Sequence, residues 1–185
     1  MGAVTFRLTA KMSVIQYALG ALLIRAAIMR EYKGESQTSA PILDSVLSYY
    51  LAPGAEQYRG WIDAYADESE IPRPILAALI RTESGFDPLA FNESSGARGL
   101  GQFVESTASE WGVNVTDAQS SIRGAARYLR FCVNYMNGSM SDGIAAYNWG
   151  IGNMTKYRQG LIKSMPAETI GYLAKVYYAP LLIGV

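Results

Sequence analysis

Apolar residues recur at intervals of three and four along most of the chain, and the two-residue alternation typical of strands is nearly missing. Two stretches show this helical spacing most clearly. Their apolar positions are Ile75, Leu76, Leu79 and Ile80 in the first, and Ile122, Ala125, Ala126, Leu129 and Val133 in the second. The pattern predicts a mostly α fold built from roughly six to eight short helices.

Several residues mark where these helices begin. Pro72 and Pro74 fit the first turn of the helix that carries the first stripe, where a missing N–H does no harm. Pro166 opens the last helix in the same way, and Asp117 is placed to cap the helix of the second stripe. Thr107 and Glu110 have the spacing of a capping box ahead of Trp111 and Gly112.

The same periodicity groups apolar residues on single helix faces and predicts where the helices end. In a helix over 56–69, one face carries Tyr58, Trp61, Ile62 and Tyr65. In the last helix, the inward positions are Ile170, Leu173 and Tyr177. Asn137-Gly138 ends the helix of the second stripe, and the short helix around 144–149 runs into a turn at Gly150.

The N-terminal segment 1–55 reads as an arm, ahead of a domain over 56–178 and an apolar tail over 179–185. Residues 13–29 are apolar and follow Arg7 and Lys11, as in a signal peptide or membrane anchor. Their length and two polar positions fall short of a clean membrane span, while their heptad-like spacing fits an amphipathic helix that docks on a partner. We favour the docking or interfacial helix and keep the uncleaved anchor or signal as the alternative.

The amino-acid composition limits the kinds of catalysis and binding that we expect of the chain. Lys plus Arg equals Asp plus Glu at 16 each, so no net field draws the protein to nucleic acid, and we expect no specific nucleic-acid binding. Histidine is absent, which excludes Ser-His and Cys-His catalysis and His-ligated metal. The single cysteine, Cys132, reads as a small buried residue. We therefore expect no metal and no cofactor, and chemistry that depends on carboxylates, hydroxyls and amides.

Glu83 is the most unusual acid in the chain. It falls on the apolar stripe of its helix, where a carboxylate is poorly solvated, so its pKa should rise. A raised pKa is what a general acid requires in order to hold a proton near neutral pH. The alternative is a buried structural glutamate paired with Arg81 or Arg98.

Three further segments carry candidate binding groups. The glycine-rich stretch 92–103 presents Gln102 after Gly101, the stretch 145–153 presents Tyr147 and Asn148, and the last helix presents Glu168 and Tyr172 four residues apart. A flat ring beside an amide suits a sugar site. The structural alternatives are a glycine-rich connection, packing of Tyr147 in the core, and an ordinary surface pair.

Four short segments follow one another along the chain: TESGFDP (82–88), GARGLGQ (96–102), AYNWG (146–150) and ETIGY (168–172). In their residues and in their order, these segments resemble the catalytic domain of the soluble lytic transglycosylase family. The resemblance covers roughly residues 71–178 and implies a lysozyme-like fold that cleaves bacterial peptidoglycan. It assigns the single catalytic acid/base to Glu83. It assigns substrate binding or support of the acid to Ser84, Gln102, Tyr147, Asn148, Glu168 and Tyr172.

The sequence departs from the family pattern at two places. Gly101 stands where the family usually has methionine, which we expect to leave room or flexibility beside the cleavage point. The stretch Glu93-Ser94-Ser95 stands where the family often supplies one serine, so the residue that takes that part is open.

Ordinary glycosidases use two carboxylates, and Asp87, Glu93, Glu105 and Glu168 are the candidates for a second one. The resemblance implies that none is required: the acid cleaves the bond between N-acetylmuramic acid and N-acetylglucosamine, and the C6 hydroxyl closes a 1,6-anhydro ring. A lysozyme-type hydrolase and a non-catalytic structural subunit remain as alternatives.

The expected partners are peptidoglycan glycan strands, with protein partners or a membrane contacted through the arm. The expected place of action is the bacterial cell envelope or periplasm. A bacteriophage particle that opens the wall during genome entry, an envelope secretion machine and a housekeeping enzyme on the membrane all fit such a chain.

Overall fold

The computed structural model describes residues 55–178 and Pro180, and these form a helical domain. Its helices are α1 Arg59–Glu68, α2 Arg73–Ser84, α3 Glu105–Trp111, α4 Ala118–Tyr135, α5 Met140–Trp149, α6 Ile151–Arg158 and α7 Ala167–Leu173. A 3₁₀ turn, Glu56–Tyr58, precedes α1, and a π-helical segment, Ala174–Tyr178, continues α7. The described residues contain isolated β-bridges but no strand, so the predicted mostly α fold is confirmed.

The rest of the chain lies outside the described residues. This covers the predicted arm over 1–55 except Ala55, and the predicted tail over 179–185 except Pro180. Within the described part, no helix is both long and apolar enough to cross a membrane.

Helix α2 forms the centre of the core. Its residues from Ile75 to Ile80 are at most 1% exposed, so the helix is apolar on every side and must be surrounded. It packs against α1, α4 and the π-helical segment. Pro74 lies in its first turn, as predicted, whereas Pro72 is the N-cap residue directly before it. Gly85 ends it in the left-handed conformation, at φ 61°.

Helix α4 packs across α1 and α5 and matches its prediction closely. The Asp117 carboxylate accepts a hydrogen bond of 2.6 Å from the Ser120 N–H and so caps the helix. The five predicted stripe positions, from Ile122 to Val133, are at most 1% exposed. Asn137 and Gly138, both at positive φ, turn the chain into α5.

Helix α1 is rotated relative to its prediction. Tyr58, Ile62 and Ala66 form the buried face, whereas Trp61 is 37% exposed. Tyr65 is partly buried at the edge of the core. Trp61, which the sequence placed on one face with Tyr58, Ile62 and Tyr65, therefore lies at the border of the buried face, and Ala66 belongs to that face.

Helix α7 is also rotated relative to its prediction. Thr169, Tyr172 and Val176 are buried, whereas Ile170 is 56% exposed, so the prediction that Ile170 faces inward is wrong. Two polar contacts fix this orientation, because Thr169 and Tyr172 both bond to side chains of other helices. Hydrophobic periodicity alone does not register such contacts.

The predicted capping box at Thr107 is also wrong. Helix α3 begins at Glu105 after Val104, and no side chain caps its N-terminus. Thr107 therefore lies inside the helix. Its end is as expected, since Gly112 adopts the left-handed conformation directly after Trp111.

Cys132 is buried in a small cluster beside the main core, as predicted. Burial raises the pKa of its thiol to about 12, so the side chain stays neutral.

Candidate active site

A groove of about 810 Å³ opens along one side of the domain. Its wall combines the end of α2, the 92–104 loop, the middle of α4, the junction of α5 and α6, and α7. Six of the seven predicted site residues line it: Glu83, Gln102, Tyr147, Asn148, Glu168 and Tyr172. Segments far apart in the sequence therefore meet at one surface.

Glu83 lies in the last turn of α2, shortly after the buried residues Ile75–Ile80, and its side chain is partly buried. Burial raises the pKa of its carboxyl from the ordinary 4.5 to about 7, which confirms the predicted direction. The C-terminal end of a helix carries partial negative charge, which also disfavours an ionised carboxyl at this position. Glu83 is thus a carboxylic acid that still holds its proton in part of the population near neutral pH.

The Tyr172 hydroxyl donates a hydrogen bond to Oε1 of Glu83. This bond works against the effect of burial, because it favours the charged form and lowers the pKa of Glu83. Burial holds the pKa of Tyr172 itself well above 10, so Tyr172 remains a donor. The alternative pairing with Arg98 is not formed, since that guanidinium lies 4.3 Å above the Phe91 ring.

Glu168 lies one turn before Tyr172 on α7 and is exposed. Its negative charge raises the pKa of Glu83 further. The four-residue spacing of Glu168 and Tyr172 therefore places both side chains near Glu83. They shift the pKa of Glu83 in opposite directions.

Gln102 has a positive φ of 49° and folds back on its own loop. Its amide nitrogen donates to the carbonyls of Ala90 and Gly99 at 3.1 and 3.0 Å. The amide donor is thus occupied within the loop, and the amide oxygen is the polar atom of Gln102 that remains for a ligand. The hydroxyl of Tyr147 donates to the Gly101 carbonyl at 2.8 Å, which ties α5 to the same loop.

Asn148 links α5 to α7. Its amide oxygen accepts a hydrogen bond of 2.9 Å from the Thr169 hydroxyl, so the amide N–H groups remain for a ligand in the groove. Gln102 consequently offers a hydrogen-bond acceptor to the groove, and Asn148 offers a hydrogen-bond donor.

Ser84 is the predicted site residue that does not line the groove. Its hydroxyl donates to the Ile80 carbonyl at 3.0 Å, a bond within the last turn of α2. This contact fits support of the turn that carries Glu83.

The expectation of room beside Gly101 is wrong. A Cβ at this position would lie 2.6 Å from Cε2 of Phe103 and 3.2 Å from the Ala125 Cβ. The Gly101 N–H is also bound by the Ser121 hydroxyl at 3.0 Å. The Phe103 ring fills the space that the missing side chain leaves.

In the 92–95 turn, both Ser94 and Ser95 line the groove, whereas Glu93 does not. The Asn92 side-chain oxygen accepts from the backbone N–H and the hydroxyl of Ser94, at 3.0 and 2.7 Å. This local network holds the turn at the rim of the groove.

Of the four candidate second carboxylates, Glu168 lines the groove and the other three, Asp87, Glu93 and Glu105, do not. Within residues 55–178 and Pro180, no three acidic or cysteine side chains form a group that could hold a metal ion.

Sequence reasoning missed several residues of the groove wall. They are Thr82, Asn92, Phe103, Thr107, Tyr128, Trp149 and Lys175. Tyr128 packs in part against the core, so its place in the groove wall depends on how α4 meets its neighbouring helices. The others lie in a loop and in four different helical segments, whose relative positions no periodicity encodes.

A partly buried acid at the end of a core helix, facing a groove walled by a loop and several further helices, is the arrangement of a lysozyme-like domain. The model of the Transglycosylase SLT domain matches residues 60–164, and the chain belongs to this family. The resemblance noted in the sequence is thereby confirmed.

Relatives and a solved structure agree with this assignment. The chain is 30% identical over 122 residues to a membrane-bound lytic murein transglycosylase F of Pseudomonas fluorescens, a match that covers 62% of this chain and 25% of that protein. It is 36% identical over 109 residues to the protein of that name in Shewanella denitrificans, covering 55% and 22%. The chain therefore spans about a quarter of these relatives.

The X-ray structure of an inactive mutant of the lytic transglycosylase Slt from Pseudomonas aeruginosa has a similar fold. It superposes with a TM-score of 0.57 at 21% identity, over 91% of this chain and 29% of that one. At this identity the likeness supports the fold alone.

Proposed function

We propose that the protein is a peptidoglycan lytic transglycosylase that cleaves the β-1,4 bond between N-acetylmuramic acid and N-acetylglucosamine and forms a 1,6-anhydro ring. The observation that carries the proposal is Glu83, a groove-lining carboxyl whose pKa is about 7. Membership of the family and the names of the relatives support the same reaction class.

Glu83 would act first as an acid. Its proton passes to the glycosidic oxygen as the bond from that oxygen to C1 of the muramyl residue breaks. The acetamido group of the same sugar can stabilise the positive charge that develops at C1. Tyr172 then contributes by donating to the carboxylate that is left behind.

Ionised Glu83 would act next as a base. It removes the proton from the C6 hydroxyl of the muramyl residue, and O6 bonds to C1. The attacking hydroxyl is already tethered to the reacting ring, so proximity lowers the barrier. Glu83 ends protonated, and no water is consumed.

The polar atoms around Glu83 suit a sugar with amide and hydroxyl substituents. Asn148 offers N–H donors and Gln102 offers an acceptor, because their other functions are bound within the protein. Ser94 and Ser95 lie at the rim. An acetamido group carries both one donor and one acceptor, which this wall can satisfy.

Product analysis tests the reaction. Purified peptidoglycan digested by the protein should yield muramyl products that lack one water and cannot be reduced, as measured by mass spectrometry. Reducible muramic acid ends would show a hydrolase instead, and would make Glu168 the candidate second carboxylate.

The Glu83→Gln variant should lose turnover by at least about a thousandfold, because amide cannot donate or accept the required proton. Glu105→Gln is the matched control, since Glu105 is exposed and outside the groove. Retained turnover in a folded Glu83→Gln protein would place the acid elsewhere.

We also propose that residues 1–55 form an arm that attaches the domain to a larger assembly in the cell envelope, or to a phage particle. The described residues that line the groove lie between positions 82 and 175, within the predicted domain, so we expect turnover to depend on the domain. Deleting residues 1–40 should leave turnover intact and abolish co-purification with that assembly.

A further inference from the structure

Helix α4 carries a second, aromatic stripe beside the apolar stripe that fills the core. Tyr128, Phe131 and Tyr135 follow one another at intervals of three and four. Tyr128 packs in part against the core, whereas Phe131 and Tyr135 are exposed. Together with Trp111 of α3, we call these rings the outer aromatic row.

The rings of this row are in continuous contact. Ring centroids are 5.3 Å apart for Tyr128 and Trp111, 5.1 Å for Trp111 and Phe131, and 6.0 Å for Phe131 and Tyr135. Exposure rises towards the outer end, where Phe131 is 41% and Tyr135 55% exposed.

The inner end of the row is part of the groove. Tyr128 lines the groove and lies 5.2 Å from the ring of Tyr147, which also lines it. A ligand that fills the groove and continues past Tyr128 along α4 would therefore meet Phe131 and then Tyr135.

Packing between helices explains only part of the row. Trp111 fastens α3 onto α4 through Tyr128 and Phe131. Tyr135 lies beyond that contact, and no described side chain or backbone group bonds to its hydroxyl. Two exposed rings next to a ligand groove are the kind of surface that marks a binding site.

The shape of the row favours a narrow ligand over a protein partner. Each aromatic side chain can bury about 150–250 Å², so the two exposed rings offer a few hundred Å² at most. A stable protein interface requires roughly 800 Å² from each partner. A chain of sugar rings, by contrast, has flat C–H faces of about the width of one aromatic ring.

We propose that the outer aromatic row binds the glycan strand where it leaves the groove, with sugar rings lying against Tyr128, Phe131 and Tyr135. The inference rests on the proposed function, since it takes the substrate in the groove to be a polymer of pyranose rings. Arg127 lies 6.0 Å from the Trp111 ring beside the row, where it can meet anionic substituents of such a strand.

Binding to insoluble peptidoglycan tests the row, measured by co-sedimentation in a Glu83→Gln background so that no substrate is cleaved. Phe131→Ala with Tyr135→Ala should weaken binding about tenfold. Leu161→Ala with Ile170→Ala is the matched control, because both residues are exposed and outside the groove, and it should bind as before.

A second pair of variants distinguishes stacking on aromatic rings from nonspecific hydrophobic binding. Phe131→Tyr with Tyr135→Phe keeps both rings and should retain binding, whereas Phe131→Leu with Tyr135→Leu keeps apolar bulk and should lose it. Unchanged binding in the alanine variant, or full binding in the leucine variant, would overturn the proposal.

Turnover distinguishes this inference from the proposed function. With Glu83 intact, a short soluble glycan fragment that fills only the groove should be cleaved equally by wild type and the alanine variant. If wild type cleaves no glycan and the alanine variant still loses binding, the proposed reaction fails and the row stands. If cleavage occurs and binding is unchanged, the row fails and the reaction stands.

Discussion

Three neighbouring effects set the proton affinity of Glu83. Burial raises the pKa of the carboxyl most, the Tyr172 hydrogen bond lowers it, and the charge of Glu168 raises it. An acid that must both give and regain a proton works best when its pKa lies near the working pH. The value of about 7 is therefore a balance that single substitutions should move in known directions.

Tyr172→Phe and Glu168→Gln should move the pH dependence in opposite directions. Loss of the hydroxyl removes the group that stabilises the charged form, so the pKa of Glu83 rises. Loss of the Glu168 charge removes repulsion, so the pKa of Glu83 falls. Because the acid step requires protonated Glu83, the alkaline limb of kcat/KM should shift up for Tyr172→Phe and down for Glu168→Gln.

The measurement is a pH–rate profile of peptidoglycan solubilisation for each variant, with Glu105→Gln as control. Tyr172→Phe is also expected to lower kcat, since the carboxylate formed in the reaction loses its donor. Shifts in the same direction for both variants would show that the limb reports another group.

At the scale of single residues, the sequence predicts which residues form the site better than it predicts the polar contacts between them. Glu83 could be found because it interrupts an apolar stripe, and that signal is local. The contacts that decide which atoms of Gln102 and Asn148 face a ligand involve Ala90 and Thr169, which lie 12 and 21 residues away. No spacing rule encodes such pairs.

At the scale of helices, long-range polar contacts of this kind also explain why the inward face of α7 differs from its prediction. The stripes of α2 and α4 contain many apolar positions, so their inward faces are well determined. Helix α7 has few, and the contacts of Thr169 and Tyr172 orient it instead. Ile170 is exposed as a result, although it is among the most apolar residues of that helix.

Close approach of α5 to α4 depends on Gly143. A Cβ there would lie 2.5 Å from a methyl group of Val133 and 2.7 Å from its Cα, and the backbone cannot rotate away. Gly143→Ala should therefore lower the free energy of unfolding by about 1–3 kcal/mol.

Gly152→Ala in α6 is the matched control, because nothing lies within 4 Å of the added methyl group. It should be neutral or stabilising by up to about 1 kcal/mol, since alanine is the better helix former. Thermal melts of both proteins provide the comparison, and equal effects would mean that α4 and α5 can separate without cost.

At the scale of the whole molecule, the four motif segments lie far apart in the chain but meet along one groove. Each segment alone has a plausible structural explanation, and their order is what indicates a single site. The core helix α2 has two roles: it fills the centre of the domain, and it holds Glu83 partly shielded from water. A site of this kind should reduce the stability of the fold that carries it.

Stability should therefore depend on pH through Glu83. The pKa of its carboxyl is raised to about 7 in the folded protein, whereas the unfolded chain has the ordinary value of 4.5. Between these values the folded state binds more protons, so stability is fully present below pH 4.5 and is lost as pH rises to 7. The loss amounts to about 3 kcal/mol at most.

Glu83→Gln removes this dependence because the amide stays neutral and its oxygen can still accept from Tyr172. In urea unfolding, the variant should match wild type near pH 4 and exceed it by up to about 3 kcal/mol at pH 8. Glu105→Gln, on an exposed residue, should show no such divergence. A Glu83→Gln protein that is equally stabilised at both pH values would mean that burial, and not ionisation, is the source of the effect. In the expected outcome, Glu83→Gln loses turnover and is the more stable protein above pH 7. That result would mean that the fold gives up stability in order to keep one acid partly shielded from water.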